Sequence, residues 1–162
     1  MKLNNKNIWS PVMIVMIIAF DQITKYIAKS QLYPDKSADF IKGVVEFRYA
    51  ENTGVAFSMF NGGGSRWIFI ALTFIAALGI IAYMYKKAQN NLWLYWTLGV
   101  IAAGAVGNLI DRVFLGYVID FINPTFVNFA VFNIADCAVT LGTVSLVAYL
   151  LFDMFKKEKT DE

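Results

Sequence analysis

Long apolar stretches separated by polar connections dominate the 162-residue chain, and four of them reach the roughly 20 residues that cross a bilayer core. The first covers about 8–30 and admits Asp21 and Lys25 in its second half. The second, 67–85, carries no charge. The third, about 92–110, is interrupted by Asn108, and the fourth, about 135–155, has Asp136 in its first turn. This pattern predicts an all-α membrane protein with four transmembrane helices, forming a single integral membrane domain over 1–162.

The connections carry their own pattern. Between the first and second spans, residues 44–50 (Val-Val-Glu-Phe-Arg-Tyr-Ala) and 55–60 (Val-Ala-Phe-Ser-Met-Phe) read as short strands around Glu51-Asn-Thr-Gly54. A small extracytoplasmic β-sheet is therefore expected over about 40–60. Phe57, Met59 and Phe60 would rest it among lipid headgroups, and Gly62-Gly-Gly64 would supply a flexible exit. Lysines set the orientation. Lys2 and Lys6, Lys86 and Lys87, and Lys156, Lys157 and Lys159 all fall on one side if the helices alternate, so that side is cytoplasmic by the positive-inside rule. Both termini are then cytoplasmic, and the larger connections, about 31–66 and 111–134, face outward. The absence of an internal repeat disfavours an inverted-repeat transporter.

Composition agrees with a membrane protein: 58% of residues are hydrophobic and 16% charged, where a soluble domain has about 45–50% and 25%. A net charge of +2 provides no field to draw nucleic acid. The chain has no histidine, which excludes His-based zinc sites and Ser-His or Cys-His catalysis, and its one cysteine, Cys137, excludes an internal disulfide. The N-terminal segment lacks a small-residue cleavage pattern and reads as a retained signal anchor.

Carboxylates at a membrane boundary are costly to desolvate, which makes them functional candidates. Asp120 follows Val118-Ile119 and precedes Phe121-Ile122; as a purely structural residue it would need a donor that the local sequence does not reveal. Asp136 stands three residues after Asn133 at the start of the fourth helix, where capping is the plain reading and acid–base chemistry the sharper one. Two such carboxyls that met would share a proton. Asn108 lies deep enough to require a polar cavity, and Gly104 and Gly107 allow close approach of a neighbour. Arg112 reads as a headgroup anchor or a partner for Asp111. Asp21 and Lys25 form an i, i+4 pair that neutralises itself. Asn52 and Gly54 make a tight turn, or Asn52 donates to substrate.

Taken in order, Asp21-Gln-Ile-Thr-Lys25, Asn52-Thr-Gly-Val-Ala-Phe57, Gly104-Ala-Val-Gly-Asn-Leu-Ile-Asp-Arg112, Val118-Ile-Asp-Phe121 and Phe132-Asn-Ile-Ala-Asp136 resemble the motifs of the lipoprotein signal peptidases, or signal peptidase II. The resemblance implies an aspartic endopeptidase of the bacterial cytoplasmic membrane, active near the extracytoplasmic face without a metal or cofactor. Its substrates would be prolipoproteins, cut just before the diacylglyceryl-modified lipobox cysteine. It makes Asp120 and Asp136 the catalytic pair, Asn52, Gly54, Asn108, Arg112 and Asn133 supporting residues, and Asp21 and Lys25 structural positions of the first helix. Membrane lipids are the expected surroundings and a monomer the expected state. Ala103, where glycine is common, and Cys137, where Ser or Thr is usual, depart from the family pattern. A proton-coupled carrier using the two aspartates as a relay is the alternative, opposed by their position near one face.

Overall fold

The computed structural model describes residues 5–54 and 65–161. Four helices, α1 (Asn5–Leu32), α2 (Ser65–Lys86), α3 (Leu92–Phe114) and α4 (Ile134–Asp161), contain stretches long and apolar enough to cross a membrane: Ile8–Leu32, Trp67–Lys86, Leu92–Phe114 and Ile134–Glu158. Each runs a little beyond its expected bounds. The third gains a full turn, so Asp111 and Arg112 belong to the helix rather than to the loop after it.

α3 is the centre of the bundle. It packs on each of the other three helices, and 56% of its most apolar stretch is buried, against 11–17% in the others. Its sequence explains why: Gly99, Ala102, Ala103, Gly104 and Gly107 leave room for neighbouring backbones. A β-carbon on Gly104 would collide with the Ala135 carbonyl, and one on Gly107 would lie 2.8 Å from Asp21 Oδ2. Gly142 of α4 reciprocates, lying against Ile101. The outward faces of the other spans stay apolar and uncovered, as at Val15, Ile75 and Leu141, which suits hydrocarbon surroundings. At the opposite end of α3 from the polar residues, Asn91 caps the helix by accepting from Leu94 N at 2.9 Å.

The sheet is three-stranded and antiparallel, in the order β1 (Ser37–Ile41), β2 (Val45–Asn52), β3 (Val118–Pro124). β2 matches the first expected strand. β1 begins upstream of the expected sheet, and β3 comes from the second outer connection, so both connections build it. The strand expected over 55–60, the lipid contacts of Phe57, Met59 and Phe60, and Gly62–Gly64 lie outside the described residues. Ser65 and Arg66, expected in a loop, start α2.

Strand alternation gives the sheet two faces. Tyr49, Ile119 and Phe121 join Ala28 and Leu32 of α1 in one buried cluster, seating the sheet on the end of α1. Asp120, between Ile119 and Phe121, therefore points to the opposite face and pairs across the ladder with Ala50. Ile122 bridges to Phe132, which draws the start of α4 in beside β3.

Candidate active site

The site is built at the N-terminus of α4. Asn133 is the N-cap: its Oδ1 accepts from Asp136 N at 2.9 Å, and Asp136 Oδ2 accepts from Asn133 N at 3.2 Å. This reciprocal pair is a capping box, with Asn and Asp in the roles usually filled by Ser or Thr and Glu. Asp21 of α1 supplies a further acceptor, its Oδ1 taking Ala135 N at 2.8 Å. The plain capping reading of Asn133 and Asp136 thus holds, and the same residues reach further.

Asn133 also turns its amide to Asp120, with Nδ2 donating to Oδ1 at 2.6 Å. Asn52, at the end of β2, donates to Asp120 Oδ2 at 2.9 Å. The donors that Asp120 needs are therefore two amides, distant in sequence. Asp136 Oδ1 accepts from Asn108 Nδ2 at 2.7 Å. Both carboxyls touch Asn133, one through its side chain and one through its backbone, which fixes them on either side of a single residue. Both oxygens of each carboxyl receive an N–H donor.

Asn52 makes the expected turn with Gly54 and turns its amide to Asp120. While its amide nitrogen faces Asp120, its Oδ1 accepts from Gly54 N at 2.9 Å. Gly54 takes φ +77°, a backbone conformation for which glycine is the natural residue.

Behind the pair lies a buried ionic hub. Lys25 Nζ sits 2.8 Å from Asp21 Oδ2, 3.1 Å from Asp111 Oδ2 and 2.9 Å from Asn108 Oδ1. Asp21 and Lys25 thus neutralise each other as expected, and tie α1 to α3 as well. Asp111 is committed to this hub, with Gln22 Nε2 at 2.9 Å and Ile119 N at 3.0 Å as further donors, rather than standing as the counter-ion of its neighbour Arg112. Arg112 Nη1 reaches back to Asn108 O at 3.4 Å. Asp111 and Gln22 were not among the sequence candidates. The signal was present: positions 104, 107, 108 and 111 share one face of α3, and Gln22 adjoins Asp21.

Burial and charge act together on Asp120, which is 2% exposed. Loss of hydration raises its pKa from 3.8 to about 6; Asp136 also raises it, while the bonds from Asn52 and Asn133 and the charge of Lys25 oppose the shift. Asp136 is only half-buried and opens onto a cavity of about 510 Å³. Asn52 and Phe129 line it, and Cys137, Thr140 and Leu141 continue its wall along α4. The walls are largely apolar, with a carboxyl at one end. Among the described residues no group of three or more His, Cys, Asp or Glu is placed to hold a metal ion.

Fold and site together define a four-span membrane protein with a paired-carboxyl centre beside an apolar groove. The profile of the family described as Signal peptidase (SPase) II matches residues 13–152. The lipoprotein signal peptidase of Streptococcus agalactiae serotype Ia is 34% identical over 140 residues, covering 86% of this chain and 90% of that protein. The one from Microcystis aeruginosa is 39% identical over 145 residues, covering 88% and 91%. A solved structure titled as a bacterial membrane enzyme determined by the in meso method at 1.9 Å superposes with a TM-score of 0.83 and 33% identity, covering 88% of this chain and 92% of that one. The chain belongs to the signal peptidase II family. It is a multi-pass bacterial membrane peptidase that acts in lipoprotein processing.

Proposed function

We propose that Asp120 and Asp136 are the catalytic pair of an aspartic endopeptidase that releases signal peptides from diacylglyceryl-modified prolipoproteins before the lipobox cysteine. The observation that carries this reading is the convergence of Asn52, Asn108 and Asn133 on two carboxyls joined through Asn133, with Asp136 open to an apolar cavity. Peptide hydrolysis by two carboxyls needs one proton between them. Asp120, the more deeply buried, holds it; Asp136 acts as base. Asp136 takes a proton from water as the oxygen attacks the scissile carbonyl, and Asp120 gives its proton to the carbonyl oxygen. On collapse of the resulting diol, the C–N bond breaks, Asp136 passes its proton to the leaving amine, and Asp120 recovers its own. The amides hold both carboxyls in place without adding charge.

The active end of α3 and α4 is then extracytoplasmic. Lys86 and Lys87, at the other end, together with both termini, are cytoplasmic. The proposed working form is a monomer, a single integral membrane domain. Asn52, Gly54, Asn108, Arg112 and Asn133 support the site, and Asp21 and Lys25 brace it.

The direct test incubates the purified protein with a diacylglyceryl-modified lipobox peptide and with the same peptide lacking lipid. Cleavage before the modified cysteine, unaffected by chelator, is the expected result. The unlipidated peptide should be a much poorer substrate, because each methylene that leaves water for apolar surroundings contributes roughly 0.8 kcal/mol. Equal cleavage of both peptides would contradict the lipid-dependent part of the proposal.

The pKa of Asp120 sets a pH dependence. Its proton is held up to about pH 6 in the folded protein, so turnover should fall as pH rises through that region. Asn52→Ala removes a bond that favours the ionised form, so its descending limb should lie at higher pH than that of the unaltered protein. A limb that stayed fixed, or moved down, would show that another group sets it. The same shift bears on stability: the contribution of this group is full below about pH 4 and lost as pH rises through 6.

A further inference from the structure

We propose that Asp111 is a positioning residue for both carboxyls of the pair, an assignment that rests on the catalytic reading above. Two independent connections lead from it. On one side, Asp111 Oδ2 accepts from Ile119 N at 3.0 Å, which pins the backbone of β3 one residue before Asp120. On the other, the same oxygen lies 3.1 Å from Lys25 Nζ, and Lys25 in turn donates to Asn108 Oδ1 at 2.9 Å. Asn108 also takes Asn133 Nδ2 on that oxygen at 3.1 Å.

The direction of these bonds matters. An ammonium group only donates, with three N–H bonds to place. Here they meet three acceptors: Asp21 Oδ2, Asp111 Oδ2 and Asn108 Oδ1. With Lys25 held between the two carboxylates, Asn108 must present its oxygen to the hub. Its NH2 then faces Asp136. An amide flipped the other way would set oxygen against the Asp136 carboxylate and nitrogen against the ammonium. Asp111 therefore fixes a strand on one route and an amide orientation on the other. Gln22 holds the remaining oxygen of Asp111 at 2.9 Å and also donates to Gly107 O at 3.2 Å, which locks the acid to α1 and to its own helix.

The charged groups around Asp111 are Asp21 and Lys25 on α1, Arg112 beside it on α3, Asp120 beyond Ile119 on β3, and Asp136 on α4 beyond Asn108. Those acting on Asp120 are Asp136, which raises its pKa, and Lys25, which lowers it. Asp111→Asn leaves Lys25 less compensated, so the cation acts more strongly on Asp120. The pKa of Asp120 then falls, and the descending limb of turnover moves to lower pH.

The test measures kcat and KM for a diacylglyceryl-modified lipobox peptide across pH, using the full-length chain carrying Asp111→Asn, Gln22→Leu or, alongside, Asp120→Asn. Small misplacements of reacting groups cost up to about a hundredfold in rate. On that scale, Asp111→Asn should lower kcat about tenfold or more with KM within about twofold, and move the limb down. Gln22→Leu keeps every charge and should lower kcat by a smaller factor with the limb unmoved. Unchanged kcat in folded Asp111→Asn overturns the assignment, as does a loss that only tracks the amount of folded protein with the limb in place. If Asp111→Asn does not fold, Gln22→Leu decides: reduced kcat at constant KM supports the assignment, and unchanged kcat overturns it. Near-normal turnover by Asp120→Asn would instead overturn the catalytic pair itself.

Discussion

Asp120→Asn and Asp136→Asn are each expected to abolish cleavage of lipidated substrate, with the protein still inserted and folded. Each change preserves side-chain shape but removes a group that must hold or take the proton. Groups that act as one unit typically cost 10⁴-fold or more in rate when either is lost. The surroundings favour survival of the fold. Asp120 receives donors from Asn52 and Asn133, and an amide keeps an oxygen to accept one of them. Asp136 also helps to cap α4, but Asp21 and Asn133 keep their own bonds to the first turn. A single-turnover assay on purified variants, with unfolding followed in parallel, checks both halves. Near-normal turnover in either folded variant would remove the chemistry assigned to the pair.

The second large effect concerns stability. Lys25→Met should destabilise the protein by about 3–5 kcal/mol, the usual consequence of taking one partner from a buried ionic cluster. Lys25 is 1% exposed, Asp21 0% and Asp111 2%, so removing the cation leaves two carboxylates facing each other without solvent. Asn108 loses one of the two donors that fix its orientation. Unfolding in detergent by heat or denaturant measures the loss. An unchanged midpoint would mean that the acids are neutralised by other means and that the hub is not a brace. Asp21→Ala should follow the same direction, because it removes both a counter-charge and the acceptor for Ala135 N.

The sheet shows how the sequence could be informative and incomplete at once. Residues 44–50 alternate and carry β-branched and aromatic side chains, so β2 was legible. β3 was not, since Asp120 interrupts its apolar run and a lone carboxylate argues against a buried strand. The ladder with β2 and the amide of Asn52, 68 positions earlier, resolve that conflict together with the amide of Asn133, 13 positions on across a loop. Asp111 was hidden for a similar reason. Next to Arg112 it looks like half of a local ion pair, whereas folding brings Lys25, 86 positions earlier, to its carboxylate.

By itself the sequence determined the four spans, the exclusion of histidine chemistry, the candidate carboxyls and the family they resemble. These follow from local composition, helix length and short motifs, which the chain carries wherever it folds. Only the tertiary structure decided that β3 completes the sheet, that Asn133 joins Asp120 to Asp136, and that Lys25, Asp111 and Gln22 form the brace behind them. Apart from the local cap between Asn133 and Asp136, each of those contacts pairs groups from separate elements. Where buried groups are cut off from water, a donor must find its acceptor across the bundle, and spacing along one strand or helix does not specify which one it meets.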